Sequence, residues 1–131
     1  MKSQILLIED NEQNLYLATF LLKQNGFDVV QARSGPEGIE QAAKVRPALI
    51  VLDIQLPQMD GYAVARTLRQ NPDLNDVPIV AVTSYAMAGD RERALEAGCN
   101  GYIEKPINPD TFRMQIEAFL KPQTGGGGTR A

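Results

Sequence analysis

The sequence predicts a three-layer α/β domain, in which helices cover both faces of a parallel sheet. Two observations lead to this fold class. Short apolar runs without polar alternation recur along the chain, and such runs are typical of strands buried on both faces of a parallel sheet. Helical patterns with capping signals separate these runs, and five βα units of this spacing give a doubly wound domain.

The predicted strands are short, and four of them end at charged or hydroxyl side chains. Because open parallel sheets bind ligands at the carboxyl ends of their strands, we expect these side chains to share one pocket. A further strand covers residues 27–32. The other four strands and the residues that follow them are 5–8 with Glu9-Asp10, 49–52 with Asp53, 79–82 with Thr83-Ser84, and 101–103 with Lys105-Pro106.

Each predicted helix has a recognisable beginning or end. Asn11 is the expected N-cap of the first helix, which ends at Gly26. Ser34 with Glu37 three residues on predicts a capping box for the second helix, which stops before Pro47. The other three helices are predicted over residues 62–70 after the N-cap Asp60, over residues 90–97 before Gly98, and from Asn108-Pro109-Asp110 to Leu120.

Length and charge restrict the class of protein. The chain has 131 residues, which is the size of one domain, and a net charge of −3 without a basic cluster, so nucleic-acid binding is not expected. The lead before the first strand is too short for a signal peptide, and no apolar stretch approaches a membrane span of roughly 18 residues, so we expect a cytoplasmic protein. The domain is predicted over residues 1–121 and a flexible glycine-rich tail over residues 122–131.

Cysteine and histidine usage excludes several kinds of chemistry. Cys99 is the only cysteine, so the chain has no internal disulfide and no cysteine zinc site. The sequence contains no histidine, which removes Ser-His and Cys-His catalysis, histidine metal sites and a role as a phosphohistidine carrier. Chemistry in the predicted pocket therefore depends on Asp, Thr and Lys.

The three acids at the strand ends indicate a cation and a phosphoryl group. Carboxylates about 4–5 Å apart repel one another by roughly a few kcal/mol per pair, and a cation relieves this repulsion. All-oxygen ligands favour Mg²⁺, and an aspartate can attack phosphorus to form an aspartyl phosphate. Phosphoryl transfer mainly requires in-line positioning and neutralisation of charge. Each signal alone also fits a cap or a turn, but their joint occurrence at four strand ends is hard to reach by accident.

Longer motifs surround these residues: Leu7-Ile8-Glu9-Asp10-Asn11, Leu52-Asp53-Ile54-Gln55-Leu56-Pro57-Gln58-Met59-Asp60-Gly61, Val82-Thr83-Ser84, and Gly98-Cys99-Asn100-Gly101-Tyr102-Ile103-Glu104-Lys105-Pro106. Together they resemble the receiver domains of two-component response regulators, the CheY-like family, from residue 5 to about residue 120. The resemblance implies a flavodoxin-like, doubly wound fold with a five-stranded parallel sheet in the order 2-1-3-4-5.

The resemblance also implies a role for each acid. Asp53 looks like the phosphoacceptor of the family. Asp10 and Asp53 would bind Mg²⁺ directly, together with the backbone carbonyl of Gln55, and Glu9 would act mainly through water. Mg²⁺ is the implied cofactor.

On the other side of the implied pocket, the resemblance assigns a hydroxyl and an ammonium to the phosphoryl group. Thr83 would hydrogen-bond one phosphoryl oxygen, and Lys105 would pair with another. The Lys105-Pro106 peptide bond is expected to be cis. Tyr102 is similar to an aromatic residue that moves inward with the threonine, which implies a switch through Thr83 and Tyr102.

The implied partners are other signalling proteins. The donor would be the phosphohistidine of a sensor histidine kinase or of a histidine phosphotransfer protein, and a downstream protein effector would receive the signal. No enzymatic activity is expected beyond the chain's own phosphoryl transfer and dephosphorylation. Asn100-Gly101 stands where dimerising receivers often carry an acidic pair, so a monomer or weak dimer is expected. Gln55 and Tyr85 occupy positions that tune dephosphorylation in the family.

Three other readings compete with this one. A degenerate receiver would act as an interaction module without phosphate, which the complete set of acids, threonine and lysine disfavours. A phosphatase of the haloacid dehalogenase type usually has a second acid two residues after its nucleophile, where this chain has Gln55. A flavin-binding domain needs a phosphate loop after the first strand, and Glu9-Asp10-Asn11-Glu12 would repel the phosphate there.

Overall fold

The computed structural model describes residues 3–84 and 89–120, which form a parallel sheet covered by helices on both faces. The order of strands in the sheet is β2-β1-β3-β4-β5, as the family resemblance implies, and all adjacent pairs are parallel, as the apolar runs predict. The predicted tail over residues 122–131 and Tyr85 lie outside the described residues. The strands are β1 (Gln4–Ile8), β2 (Asp28–Ala32), β3 (Leu49–Asp53), β4 (Ile79–Thr83) and β5 (Gly101–Glu104).

Across the described residues, five α-helices alternate with the strands, and a short 3-10 helix (Pro72–Leu74) precedes β4. The α-helices are α1 (Glu12–Gln24), α2 (Gly35–Val45), α3 (Gly61–Arg69), α4 (Asp90–Glu96) and α5 (Pro109–Leu120). Within the two described stretches of chain, no helix is both long enough and apolar enough to span a bilayer.

The helix caps largely follow the sequence signals. The Asn11 side chain accepts from the backbone N–H of Asn14, and the Asp60 side chain accepts from that of Ala63, both at 2.9 Å. These bonds satisfy N–H groups that have no partner within the helix.

The predicted capping box of α2 is only half formed. The Ser34 hydroxyl accepts from the Glu37 N–H at 3.2 Å, as expected. The Glu37 carboxylate, however, accepts from the N–H of Arg33 at 2.9 Å, rather than from that of Ser34. The helix begins at the same place, because the Ser34 bond alone fixes its first turn.

The sheet separates two apolar layers, and the side chains of β1 show how. Ile5 and Leu7 pack on the face covered by α1 and α5, whereas Leu6 and Ile8 pack on the face covered by α2, α3 and α4. This alternation follows from the pleat of the strand. All four side chains are at most 2% exposed, and each buried aliphatic side chain contributes roughly 1.5–3 kcal/mol to folding.

The topology places a crevice between β1 and β3. The chain leaves β1 for β2 on one side and returns to β3 on the other, so the direction of winding reverses between these two strands. Ile8 pairs with Leu52 in the register, which brings the residues that follow them, Glu9 and Asp53, side by side. Ligands of doubly wound folds bind at this reversal point.

Candidate functional site

Three carboxylates meet at the carboxyl ends of β1 and β3. Glu9, Asp10 and Asp53 each offer an oxygen, and these oxygens all lie within 4.8 Å of one another. Glu9 is 4% exposed and Asp53 is 3% exposed, whereas Asp10 is open to solvent. The pocket therefore contains two buried acids and one accessible acid.

The backbone holds both buried acids in place. The Glu9 N–H extends the ladder to β2 by donating to the carbonyl of Ala32 at 2.9 Å, and the Glu9 carboxylate accepts from the Asn11 N–H at 3.2 Å. Oδ1 of Asp53 accepts from the Gln55 N–H at 2.9 Å. These bonds fix the carboxylates before any ligand binds.

Lys105 is the cation of the site. Its Nζ lies 3.0 Å from Oε1 of Glu9 and 3.4 Å from Oδ2 of Asp53, and its side chain is only 9% exposed. The Lys105 N–H donates to the carbonyl of Thr83 at 2.7 Å, which ties the end of β5 to that of β4. The Lys105-Pro106 peptide bond is cis, as predicted.

The buried charges do not balance, because two carboxylates share one ammonium. Burial, together with the hydrogen bond and charge of Asp53, raises the pKa of Glu9 from 4.5 to about 7 against the opposing effect of Lys105. Proximity of like charges and loss of solvent both favour the protonated acid. A divalent cation would remove this excess of negative charge, and the all-oxygen set of carboxylates fits Mg²⁺.

Thr83 and Tyr102 lie on the β4 and β5 side of the same sheet. Thr83 is the last residue of β4 and is 3% exposed. Tyr102 pairs with Ala81 in the register and packs, partly buried, against the layer that includes Ala94 of α4. Thr83 thus lies at the strand ends that form the pocket, and Tyr102 lies on the face of the sheet that α4 covers.

The side chain of Gln55 makes a contact that the sequence did not predict. Its Oε1 accepts from the backbone N–H of Ser84 at 3.2 Å. The sequence draws attention to Gln55 only through its position two residues after Asp53. A long-range bond between two loop ends, 29 residues apart, has no local pattern that could reveal it.

Asn100 and Gly101, the pair on which the expectation of a monomer or weak dimer is based, make contacts within the chain. Oδ1 of Asn100 accepts from the Ile79 N–H at 2.9 Å and from a guanidinium nitrogen of Arg69 at 2.6 Å. A Cβ on Gly101 would overlap the ring of Phe119. Both positions therefore support the packing of the chain around β5.

Comparison with known proteins gives one consistent result. The family described as "Response regulator receiver domain" matches residues 5–117. The polar-differentiation response regulator DivK of Brucella anthropi is 38% identical over 120 residues, which cover 92% of this chain and 98% of that protein. DivK of Brucella abortus is similar to the same extent.

Solved structures share the fold. The receiver domain of the sensor histidine kinase PA1611 from Pseudomonas aeruginosa, with a magnesium ion coordinated in its active site cleft, is 32% identical with a TM-score of 0.85. It matches 92% of this chain and 98% of its own. The chemotaxis protein CheY4 of Vibrio cholerae has a TM-score of 0.88 at 23% identity, covering 92% and 100% of the two chains, which shows the fold alone.

Proposed function

Since the chain belongs to the response regulator receiver family, we propose that it is a phosphorylation-controlled signalling receiver and that Asp53 is its phosphoacceptor. The observation that carries the proposal is the pocket itself. One buried ammonium, from Lys105, contacts two buried acids, Glu9 and Asp53, and a carboxylate oxygen of Asp10 lies within 4.8 Å of an oxygen of each of these acids. Buried ion pairs add little to stability, because removing the charges from water is costly. Phosphoryl transfer, in contrast, requires charged groups that are held in fixed positions.

The covalent step joins Asp53 to phosphorus. A carboxylate oxygen of Asp53 attacks the phosphorus of a phosphohistidine, and the P–N bond breaks with its electron pair passing to the imidazole nitrogen. The hydrogen bond from the Gln55 N–H at Oδ1 fixes the orientation of the carboxylate for this in-line attack. The donor is a sensor histidine kinase or a histidine phosphotransfer protein.

Mg²⁺ is the cofactor that the donor set fits, and it would neutralise charge on the phosphoryl oxygens. Asp10 and Asp53 would hold it directly, with the backbone carbonyl of Gln55. Both oxygens of Glu9 already accept bonds, from Lys105 and from the Asn11 N–H, so Glu9 would act through water. These assignments extend the family resemblance to this chain's own residues.

Thr83 and Lys105 would hold the remaining phosphoryl oxygens. The Lys105 ammonium has to exchange its contact with Oδ2 of Asp53 for one with the phosphoryl group, a short movement because the two atoms are 3.4 Å apart. The Thr83 hydroxyl would donate to another oxygen from the end of β4. Both changes would be transmitted to Tyr102 and α4, and from there to a downstream protein.

The test is phosphorylation by a small donor. Incubation with Mg²⁺ and acetyl phosphate, followed by intact mass measurement, should show one added phosphoryl group on the protein. The Asp53→Asn variant should show none, and chelation of Mg²⁺ should abolish the addition. An unmodified wild-type protein would refute the phosphoacceptor and leave an interaction module that works without phosphate.

The switch has a separate test. The phosphate mimic beryllofluoride, added with Mg²⁺, should shift the amide resonances of Tyr102 and of α4 as well as those near Asp53. Shifts confined to the surroundings of Asp10 and Asp53 would refute the switch while leaving the phosphoryl site intact.

A further inference from the structure

The backbone ladder between β3 and β4 ends just beyond Asp53. The Ile54 N–H donates to the carbonyl of Val82 at 3.0 Å. In a regular parallel ladder the next bond would run from the Ser84 N–H to the Ile54 carbonyl, because successive backbone groups follow a fixed pattern. That carbonyl instead accepts from the Gly61 N–H at 2.8 Å, where the chain turns into α3. The Ser84 N–H therefore faces the β3 side with no acceptor in the ladder.

The side chain of Gln55 takes the place of the missing acceptor. Oε1 of Gln55 lies 3.2 Å from the Ser84 nitrogen, and we call this contact the Gln55–Ser84 bridge. The same residue donates its backbone N–H to Oδ1 of Asp53 at 2.9 Å. Gln55 thus contacts both the acid that would be phosphorylated and the strand end that carries Thr83.

A phosphoryl group on Asp53 would bring three oxygens, each of which can accept a hydrogen bond in addition to its contact with Mg²⁺, Thr83 or Lys105. Phosphorylation adds oxygens that accept strong hydrogen bonds, and backbone N–H groups are effective donors to such oxygens. The Ser84 N–H is suited to this role, because it follows Thr83 directly and faces the strand that ends at Asp53. In the unmodified protein, however, that N–H is occupied by Gln55.

We propose that the Gln55 side chain is a displaceable cap, which has to release the Ser84 N–H before that N–H can bind the phosphoryl group. The inference rests on the proposed function of Asp53 and adds a positioning residue to it. Gln55 acts through Ser84, and its bond lowers the affinity of the pocket for phosphate by competition. A neutral hydrogen bond of ordinary strength corresponds to a factor of about two to ten in that affinity.

The experiment replaces Gln55 by Met, which has a similar length and volume but no strong acceptor. The backbone carbonyl at position 55 is kept, and the similar bulk keeps access of water comparable. The Mg²⁺ affinity of each variant is measured separately, so that beryllofluoride affinities are compared at equal saturation with Mg²⁺. The matched control is Gln58→Met in the same loop, because Gln58 is exposed and its side chain makes no hydrogen bond within the described residues. Isothermal titration measures the affinity for Mg²⁺ alone and for beryllofluoride in saturating Mg²⁺.

The expected result is a beryllofluoride affinity about two- to tenfold higher in Gln55→Met than in wild type, when both proteins are saturated with Mg²⁺. Gln58→Met should match wild type in both titrations. In the absence of beryllofluoride, the Ser84 amide should exchange with solvent faster in Gln55→Met, which shows that the bridge has been removed.

The outcomes separate the cap from the proposed function. Wild-type protein that takes up no beryllofluoride would refute the receiver function, and the cap with it. Normal uptake by wild type with an equal or lower affinity in Gln55→Met would refute the cap alone. A lower affinity would show instead that Gln55 holds the Ser84 N–H ready for the phosphoryl group.

Discussion

Two ion pairs of the same length lie on either side of the first strand end, in opposite environments. Lys105 and Glu9 are 3.0 Å apart, and their side chains are 9% and 5% exposed. Arg33 and Glu12 are also 3.0 Å apart, with side chains 50% and 73% exposed. The geometry is similar, so the difference in burial decides what each pair contributes.

Burial of Lys105, Glu9 and Asp53 makes the loss of the ammonium that the two acids share costly for the stability of the folded protein. Water screens an exposed pair, which contributes about 0–1 kcal/mol. A buried charge that loses its partner costs roughly 3–5 kcal/mol, because no water replaces the partner. Lys105 has two acidic partners, so above the pKa of Glu9, about 7, the buried groups of the pocket carry an excess of negative charge until a cation binds.

The largest expected effect is that of Lys105→Met. In chelator at pH 8, we expect the free energy of unfolding to fall by about 3 kcal/mol, because Glu9 and Asp53 lose their shared ammonium. Mg²⁺ should bind with equal or slightly higher affinity, since a competing positive charge is gone, while phosphorylation or its transmission is impaired. Urea unfolding with and without Mg²⁺ measures the changes in stability and in Mg²⁺ affinity, and intact mass after incubation with acetyl phosphate measures phosphorylation.

Two results would contradict this account of Lys105. A loss of stability below about 1 kcal/mol would mean that the cluster behaves as an exposed pair. A large loss of Mg²⁺ affinity would instead give Lys105 a structural role in forming the metal site.

The second prediction concerns pH and Glu9. The pKa of Glu9 is raised from 4.5 to about 7 by burial and by Asp53, so the folded protein binds this proton more tightly than the unfolded chain. The contribution of protonated Glu9 to the free energy of unfolding is therefore fully present below pH 4.5 and is lost as the pH rises toward 7. At about 1.4 kcal/mol for each pKa unit, the loss reaches roughly 3–4 kcal/mol.

Glu9→Gln isolates this contribution from that of the other acids. Urea unfolding of both proteins in chelator should show that the variant gains stability relative to wild type as the pH rises through this range. A difference independent of pH would show that Glu9 stays ionised in the folded protein.

The third prediction compares the buried and exposed acids of the pocket. Asp53→Asn leaves one carboxylate for one ammonium, so we expect the apo protein to gain about 1 kcal/mol. Asp10→Asn should raise the melting temperature less, because Asp10 is exposed and water screens its charge. Both variants should bind Mg²⁺ more weakly. Thermal unfolding in chelator and in Mg²⁺ measures this, and destabilisation of both apo variants would contradict the repulsion.

Local signals account for most of the fold. Buried strands are visible in the sequence as apolar runs. Caps such as Asn11 and Asp60 accept from N–H groups three residues away, so a local sequence pattern predicts both strands and caps. The meeting of Glu9, Asp53 and Lys105 could also be predicted, because parallel topology brings strand ends together. The family resemblance then gave the order of strands.

Contacts between loop ends could not be predicted in the same way. Glu37 bonds the N–H of Arg33 instead of completing the capping box, and Gln55 bonds Ser84 because Gly61 takes the Ile54 carbonyl. Such bonds depend on which acceptor the folded backbone leaves within reach. That Lys105 contacts both Glu9 and Asp53 likewise depends on the distances from its Nζ to the two carboxylates, which no spacing in the sequence specifies.

The smallest expected effect belongs to the exposed pair and completes the comparison. Arg33→Gln and Glu12→Gln should each change the free energy of unfolding by less than about 1 kcal/mol, and 0.5 M salt should reduce the effect further. The double variant gives the coupling energy between the two side chains, which we expect to be about 0.5 kcal/mol despite two contacts at 3.0 and 3.2 Å. A coupling energy as large as the loss in Lys105→Met would mean that contact geometry, rather than burial, sets the strength of ion pairs at this end of the sheet.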